Sequence, residues 1–266
     1  MTGDSGPFEG QKGYFGTYEF RICGPEGSNP LVFLHDGLGS MDTWKTLPED
    51  LANATGRPAA VYSRPGHGWS RPLRRPRTLD FMHFEALETL YTFIRELEVS
   101  DLTLIGHSDG ASISLIFSGE YQWASGLVLI APHVFVEPET IAGIEEVVRR
   151  FETTDLVERM AKYHRDPEAT FRAWSEIWLD PAFRDWNIES SLPKIHCPVL
   201  LIQALDDEYG TLAQLEAIQR GVSGPVETLV LPDGGHFPHH THPEQVTDAI
   251  IQFVKRLDRG PLGTGR

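Results

Sequence analysis

The chain has 266 residues, 40% hydrophobic and 23% charged, enough to bury a sizeable core in one large domain or a domain carrying an insertion. Its formal net charge of −15 argues against nucleic acid or an anionic membrane surface as a partner. Two cysteines, Cys23 and Cys197, make no disulfide framework and read as buried free thiols suited to a reducing compartment.

The opening stretch MTGDSGPFEGQKG has neither the basic nor the apolar region of a secretory signal. No apolar run approaches the ~20 residues of a membrane span, so a cytoplasmic protein is expected. Residues 14–22 (YFGTYEFRI) alternate in polarity and predict an antiparallel edge strand or hairpin. PLVFLHDG (30–37) reads as a buried strand entering a glycine turn. Residues 41–54 read as a helix, and PAAVYSRPGHG (58–68) as a second buried strand and turn. In 79–97 the stripe Phe84, Leu87, Tyr91, Ile94 and Leu97 predicts an amphipathic helix. A strand at 102–107, a helix and a strand at 126–132 follow. Alternating helices and continuously apolar strands predict a mostly parallel sheet covered on both faces. Such sheets carry sites beyond the carboxyl ends of their strands, where His35, Ser108 and His133 fall.

The rhythm breaks between 134 and 192. That stretch shows helical patterns at 139–151, 154–163, 167–178 and 181–186, and many aromatics, among them Phe135, Trp174, Trp178 and Trp186. It reads as a helical cap inserted into a core domain of 1–133 and 193–266. Most of its aromatics are expected to join cap to body, and a minority to line an apolar pocket. Strand 197–205, helix 211–220, strand 225–232 and helix 243–257 complete the core. The Gly-rich tail from 258 is expected to fray.

The strand at 102–107 runs into Gly106-His107-Ser108-Asp109-Gly110 and then at once into a helical run. G-x-S-x-G in that setting is a nucleophile elbow, in which the flanking glycines allow close packing around an exposed serine. A serine hydroxyl is a poor nucleophile at neutral pH. It needs an imidazole to take its proton and a carboxylate to orient that imidazole. The chain supplies Asp206-Asp207 after a late strand and His236 in a glycine turn after the last one, the order that accompanies this elbow.

Five blocks, FLHDGLGS (33–40), YSRPGHGWS (62–70), IGHSDGA (105–111), PVLLIQALDDEYG (198–210) and LPDGGHFPH (231–239), together resemble the α/β-hydrolase fold superfamily over nearly the whole chain. The resemblance is to its capped serine-hydrolase branch of esterases, proline iminopeptidases and meta-cleavage-product hydrolases. It implies an eight-stranded, mostly parallel sheet with the cap after the sixth strand. It implies Ser108 as nucleophile, His236 as general base and then acid, and Asp207 as the carboxylate, three residues after Ala204, with Asp206 the alternative. It implies an oxyanion hole from the backbone N–H groups of Gly37 and Asp109. Candidate substrate contacts are Asp36, Leu38, Phe135, Trp174, Trp178 and Phe237.

Asp36 stands where many relatives have glycine, and Asp109 where many have an apolar residue. Both are expected to turn away from the oxyanion and hydrogen-bond locally; the alternative is that one binds a cationic or hydroxylated substrate group. The serine nucleophile disfavours epoxide-hydrolase and dehalogenase chemistry, which use aspartate. Phe237 stands where carbon–carbon hydrolases usually have tryptophan. His35 is expected to hold the oxyanion loop, and His107 to pack under the serine. Trp69 is expected to pack, with the pocket as its alternative. His239, His240 and His242 read as surface residues, with Pro238 and Pro243 breaking any helix, so no metal is expected and no cofactor is implied. The expectation is a monomeric or homodimeric serine hydrolase acting on a carboxylic ester of a small to medium apolar molecule. Thioester, lactone, amide and carbon–carbon cleavage, a receptor retaining its triad and a cofactor-free oxygenase are the alternatives.

Overall fold

A computed structural model describes residues 11–27 and 29–259. The expectations for the extreme N-terminus and for the tail beyond 259 lie outside them. The strands are β1 (Gln11–Phe15), β2 (Tyr18–Cys23), β3 (Leu31–Leu34), β4 (Ala59–Tyr62), β5 (Leu102–His107), β6 (Ala124–Ile130), β7 (Val199–Ala204) and β8 (Val226–Leu231). They form one eight-stranded sheet in the order β1-β2-β4-β3-β5-β6-β7-β8. β1 and β2 are the expected hairpin, and β2 meets β4 antiparallel. Every other pair is parallel.

Both faces of the central strands β3 to β7 are covered, so these strands are largely apolar and divide their side chains by parity. Leu31 and Phe33 of β3, Ile105 of β5 and Leu200 and Ile202 of β7 pack with α1 (Leu47–Thr55) on one face. Val32 and Leu34, Leu104, and Val199 and Leu201 of the same strands point to the other face. There they meet α2 (Phe81–Phe84), α3 (Tyr91–Glu96) and α4 (Asp109–Glu120). Helix α4 is buried through Gly119, which explains why its sequence shows no polar face.

The stripe expected over 79–97 is corrected at Phe84; Ile94 is buried, and Leu87, Tyr91 and Leu97 pack, partly buried, against the core. A π-helical segment, Glu85–Leu90, joins α2 to α3. Its wider turn rotates the buried face onto Phe81, Met82, Ala86, Leu90, Phe93 and Ile94, and leaves Phe84 56% exposed. The helix expected over 41–54 divides into a 3-10 turn, Met41–Trp44, and α1.

Between β6 and β7 lie α5 (Pro138–Thr153), α6 (Leu156–Met160), α7 (Pro167–Leu179) and two 3-10 segments, Pro181–Phe183 and Glu189–Lys194. Their aromatics mostly pack: Phe151 stacks on Phe171 at 3.8 Å, and Trp178, Phe183 and Trp186 form one buried group. Glu137, just before α5, accepts from Thr211 and Gln214, tying this region to α8 (Ala213–Gly221).

After β8 come α9 (Pro238–Thr241) and α10 (Pro243–Asp258). Val246, Ile250 and Phe253 of α10 are buried with the α1 face as expected, joined by Val254, while Leu257 is only partly buried. Pro238 and Pro243 start these helices rather than break them, because a first-turn residue needs no N–H. Cys23 is buried and Cys197 half-buried, and both are free. Burial pushes each thiol up to about 11.

Candidate active site

Ser108 ends β5 with φ 53° and ψ −118°, a left-handed backbone that L-residues rarely adopt. The glycines beside it are required. A Cβ on Gly110 would lie 2.0 Å from the Leu34 carbonyl oxygen, and one on Gly106 would lie 2.4 Å from the Gly110 oxygen. Strain held by such packing is what turns a strand into an elbow.

The ends of β3, β5, β6, β7 and β8 converge on a cavity of about 60 Å³. Asp36, Gly37, Leu38, Ser108, Asp109, His133, Tyr209, His236 and Phe237 line it from the sheet side. Thr140, Ile144, Trp174 and Trp178 close it from α5 and α7. A second hollow of about 380 Å³ shares Asp36, Leu38, Tyr209 and Phe237 with it.

Nδ1–H of His236 donates to the Asp207 carboxylate, 2.9 and 3.0 Å from its two oxygens. That fixes the tautomer and leaves Nε2 with its lone pair free. Burial works against a charged His236, but the Asp207 charge and hydrogen bond, joined by the charges of Glu208 and Asp36, together raise the imidazole above its ordinary value. Burial raises Asp207 in turn, but His236 and the Tyr209 N–H hold it below the usual carboxylate range. Asp206 has a separate partner, accepting from Gly235 N at 2.8 Å. Glu208 accepts from the His236 backbone N–H. His107 lies behind, donating from Nε2 to the His236 carbonyl at 2.8 Å.

The loop after β3 is held from behind. His35 donates from Nδ1 to the Asp36 carbonyl and accepts from Arg64 N on Nε2. The guanidinium of Arg64, fully buried, donates to the carbonyls of His35 and Asp36 at 2.5 and 2.9 Å. His67 donates from Nε2 to the Gly37 carbonyl. Trp174 packs so closely that a Cβ on Gly37 would lie 2.1 Å from its Nε1.

Both unusual acids are engaged locally. Asp36 accepts from Leu38 N and lies 3.7 Å from His107 Nδ1. Burial would raise its carboxyl, but His107 beside it brings it down to about 2. Asp109 accepts from Trp178 Nε1 at 3.2 Å and lies 3.9 Å from Arg64 Nη2. There burial prevails over Arg64, and the carboxyl is raised.

A profile of the alpha/beta hydrolase family matches residues 31–249. The chain belongs to the alpha/beta hydrolase family. Among similar proteins, the dihydrolipoyllysine-residue acetyltransferase component of the acetoin cleaving system of Pseudomonas putida is 27% identical over 88% of this chain and 65% of its own. A proline iminopeptidase of Lactiplantibacillus plantarum is 34% identical over 44% of this chain and 39% of its own. The chain thus spans less than two thirds of the length of either relative. Among solved structures, an esterase from Thermogutta terrifontis shares the fold at TM-score 0.69 and 20% identity, over 90% of this chain and 93% of that one.

Within this alpha/beta hydrolase, the expected residues at the cavity are Ser108, His236, Gly37, Asp109, Asp36, Leu38, Trp174, Trp178 and Phe237, with Asp207 behind His236. Phe135 is a correction. Its backbone bridges to Asn187 and its side chain packs, partly buried, into the core instead. Trp69 is 44% exposed and does not line the cavity. His239 is also corrected: it is 6% exposed and packs on Trp44 and His107. His240 is partly buried and donates to the Thr43 carbonyl. Among the described residues, no group of three or more His, Cys, Asp or Glu is arranged to hold a metal ion. Nor, among the described residues, is any helix long and apolar enough to cross a membrane.

Sequence reasoning missed Arg64, His133, Thr140, Ile144 and Tyr209. Arg64 sits inside a recognised block, and its position after a buried strand was the available signal. His133 was flagged only as a strand end. Burial, and next the His236 ring beside it, push His133 down to about 3, so it is a neutral wall of the cavity.

Proposed function

We propose that this alpha/beta hydrolase cleaves a carboxylic ester of a small to medium apolar substrate through an acyl-Ser108 intermediate. The observation that carries this reading is the Asp207–His236 pair, which opens on the cavity that Ser108 shares. His236 Nε2 takes the Ser108 proton as Oγ attacks the ester carbonyl. The tetrahedral oxyanion is met by the N–H groups of Gly37 and Asp109. The latter begins α4, so it is one of the donors a helix N-terminus leaves unused. Each such donor stabilises the transition state by about 2.7–4 kcal/mol. His236 then returns the proton to the departing alcohol. A water gives its proton to the same nitrogen and attacks the acyl carbon; as the acyl–Oγ bond breaks, His236 passes that proton to Ser108 Oγ, releasing the acid and restoring the hydroxyl. The local engagement of Asp36 and Asp109 supports this scheme, because it draws both charges away from the oxyanion.

The test is labelling by a fluorophosphonate probe, with and without Ser108→Ala, followed by a p-nitrophenyl ester series. Labelling that depends on Ser108 together with ester turnover is expected. No labelling, or equal labelling of Ser108→Ala, overturns the activated serine. Labelling without turnover points to a receptor. The likeness to a proline iminopeptidase favours amide cleavage as the second reading, which turnover of anilides rather than esters would support.

A further inference from the structure

A hollow larger than the one Ser108 shares lies elsewhere on the molecule. A groove of about 580 Å³ runs between the loop 66–77 and α7, on the side of that helix away from Trp174 and Trp178. Five arginines line it, Arg74, Arg75 and Arg77 from the loop and Arg165 and Arg172 from the helix side. That is a marked concentration in a chain of net charge −15. Between them the lining is apolar: Pro72, Leu73, Pro76, Ala169, Ala173 and Ile177.

The arginines differ in how far they are already committed. Arg172 is paired with Glu168 at 2.8 Å, and Arg165 donates to the Trp69 carbonyl. Arg74 and Arg75 are exposed and make no hydrogen bond or ion pair among the described residues. Arg77 lies 4.8 Å over the Phe81 ring, with the Glu85 charge nearby, and its buried Nε has no hydrogen-bond partner. The acids lining the groove all come from the α7 wall. Asp166 and Asp180 are tied to helix ends, accepting from Ala169 N and Ala182 N, and Glu176 lies between them. The loop wall is therefore cationic over an apolar floor, and the volume suits a small organic molecule.

We propose that this groove is a second binding site, separate from the cavity at Ser108, for an amphipathic anion: an apolar chain carrying a phosphate or carboxylate head. The chain lies along Leu73, Ala173 and Ile177, and the head meets Arg74 and Arg75, whose guanidinium forks suit both head groups.

The test is calorimetric titration of the full chain with octyl phosphate, octanoate and octanol, repeated with the double variant Arg74→Gln/Arg75→Gln and at raised salt. The site predicts that one or both anions bind, that octanol binds at least tenfold more weakly, and that the double variant weakens anion binding at least tenfold. The tighter of the two anions identifies the head group. Circular dichroism and melting of the variant exclude unfolding as the cause, and a milder Arg74→Lys/Arg75→Lys pair retains binding in part. No anion binding, equal binding of octanol, or unchanged affinity in a folded double variant overturns the site. The readout is binding, so it stands or falls independently of hydrolysis at Ser108.

Discussion

Trp178 of α7 donates its indole N–H to the carboxylate of Asp109, the first residue of the helix after the elbow, at 3.2 Å. Both are buried, at 2% and 1% exposed, so the bond spans the junction between inserted helices and sheet where water cannot replace it. Trp178→Phe keeps most of the packing and removes the donor. It is expected to lower stability by about 1–3 kcal/mol, the usual cost of stranding a buried acceptor. Urea unfolding measures it.

Asp109 also carries a pH signature. Its folded-state carboxyl is raised above the ordinary 3.8, by burial first. Such a group contributes most to stability below 3.8 and loses that contribution as pH rises through its folded value. The stability of Asp109→Asn relative to wild type should therefore increase as pH rises above 4. A difference that stays flat between pH 4 and 8 would contradict the raised value.

On the proposed mechanism, hydrolysis needs the neutral His236 ring. Burial favours that form, but Asp207, joined by Glu208 and Asp36, lifts the ring above its ordinary 6.5. Activity should be low in acid and climb as pH passes upward through that raised value. Asp207→Asn removes the carboxylate, so the acid limb should move to lower pH while kcat falls by about 10⁴-fold. A pH–rate profile of both proteins checks the direction.

The cavity at Ser108 is tight, about 60 Å³ under Trp174, while the adjoining hollow is about 380 Å³. On the proposed ester reading, short acyl groups would enter the former and larger leaving groups the latter. p-Nitrophenyl acetate should be turned over faster than the octanoate. Trp174→Ala should reverse the order, since each added methylene shifts discrimination by about 10-fold or more in a confined pocket.

Gly110→Ala should fail for a reason unrelated to chemistry. Its methyl would meet the Leu34 carbonyl at 2.0 Å, and backbone does not move aside as a side-chain end does. A loss of about 3 kcal/mol or more is expected from thermal melting.

The central strands were legible in the sequence because both sheet faces are covered there, which makes each a near-continuous apolar run such as LVFL or VLLI. Ser108 and His236 were legible for a related reason: each follows such a run in a turn that contains glycines, whereas for the carboxylate the local sequence offered both Asp206 and Asp207. The buried face of the helical stretch 81–96 was not legible. A single π-helical segment changes the angle between side chains, and the spacing of apolar residues does not report it. The fate of Phe135 was equally hidden, because its bridge partner Asn187 lies 52 positions further along the chain.

By itself the sequence determined the order of strands and helices, the elbow and the residue types available for proton transfer. These depend on local periodicity and on which side chains a tight turn admits. Only the tertiary structure decided that Asp207 rather than Asp206 faces His236, that Arg64 holds the loop before Gly37, and that Asp109 is engaged by Trp178. Each of these joins segments far apart in the chain, and which partner wins is set by the packing of whole elements rather than by either residue alone.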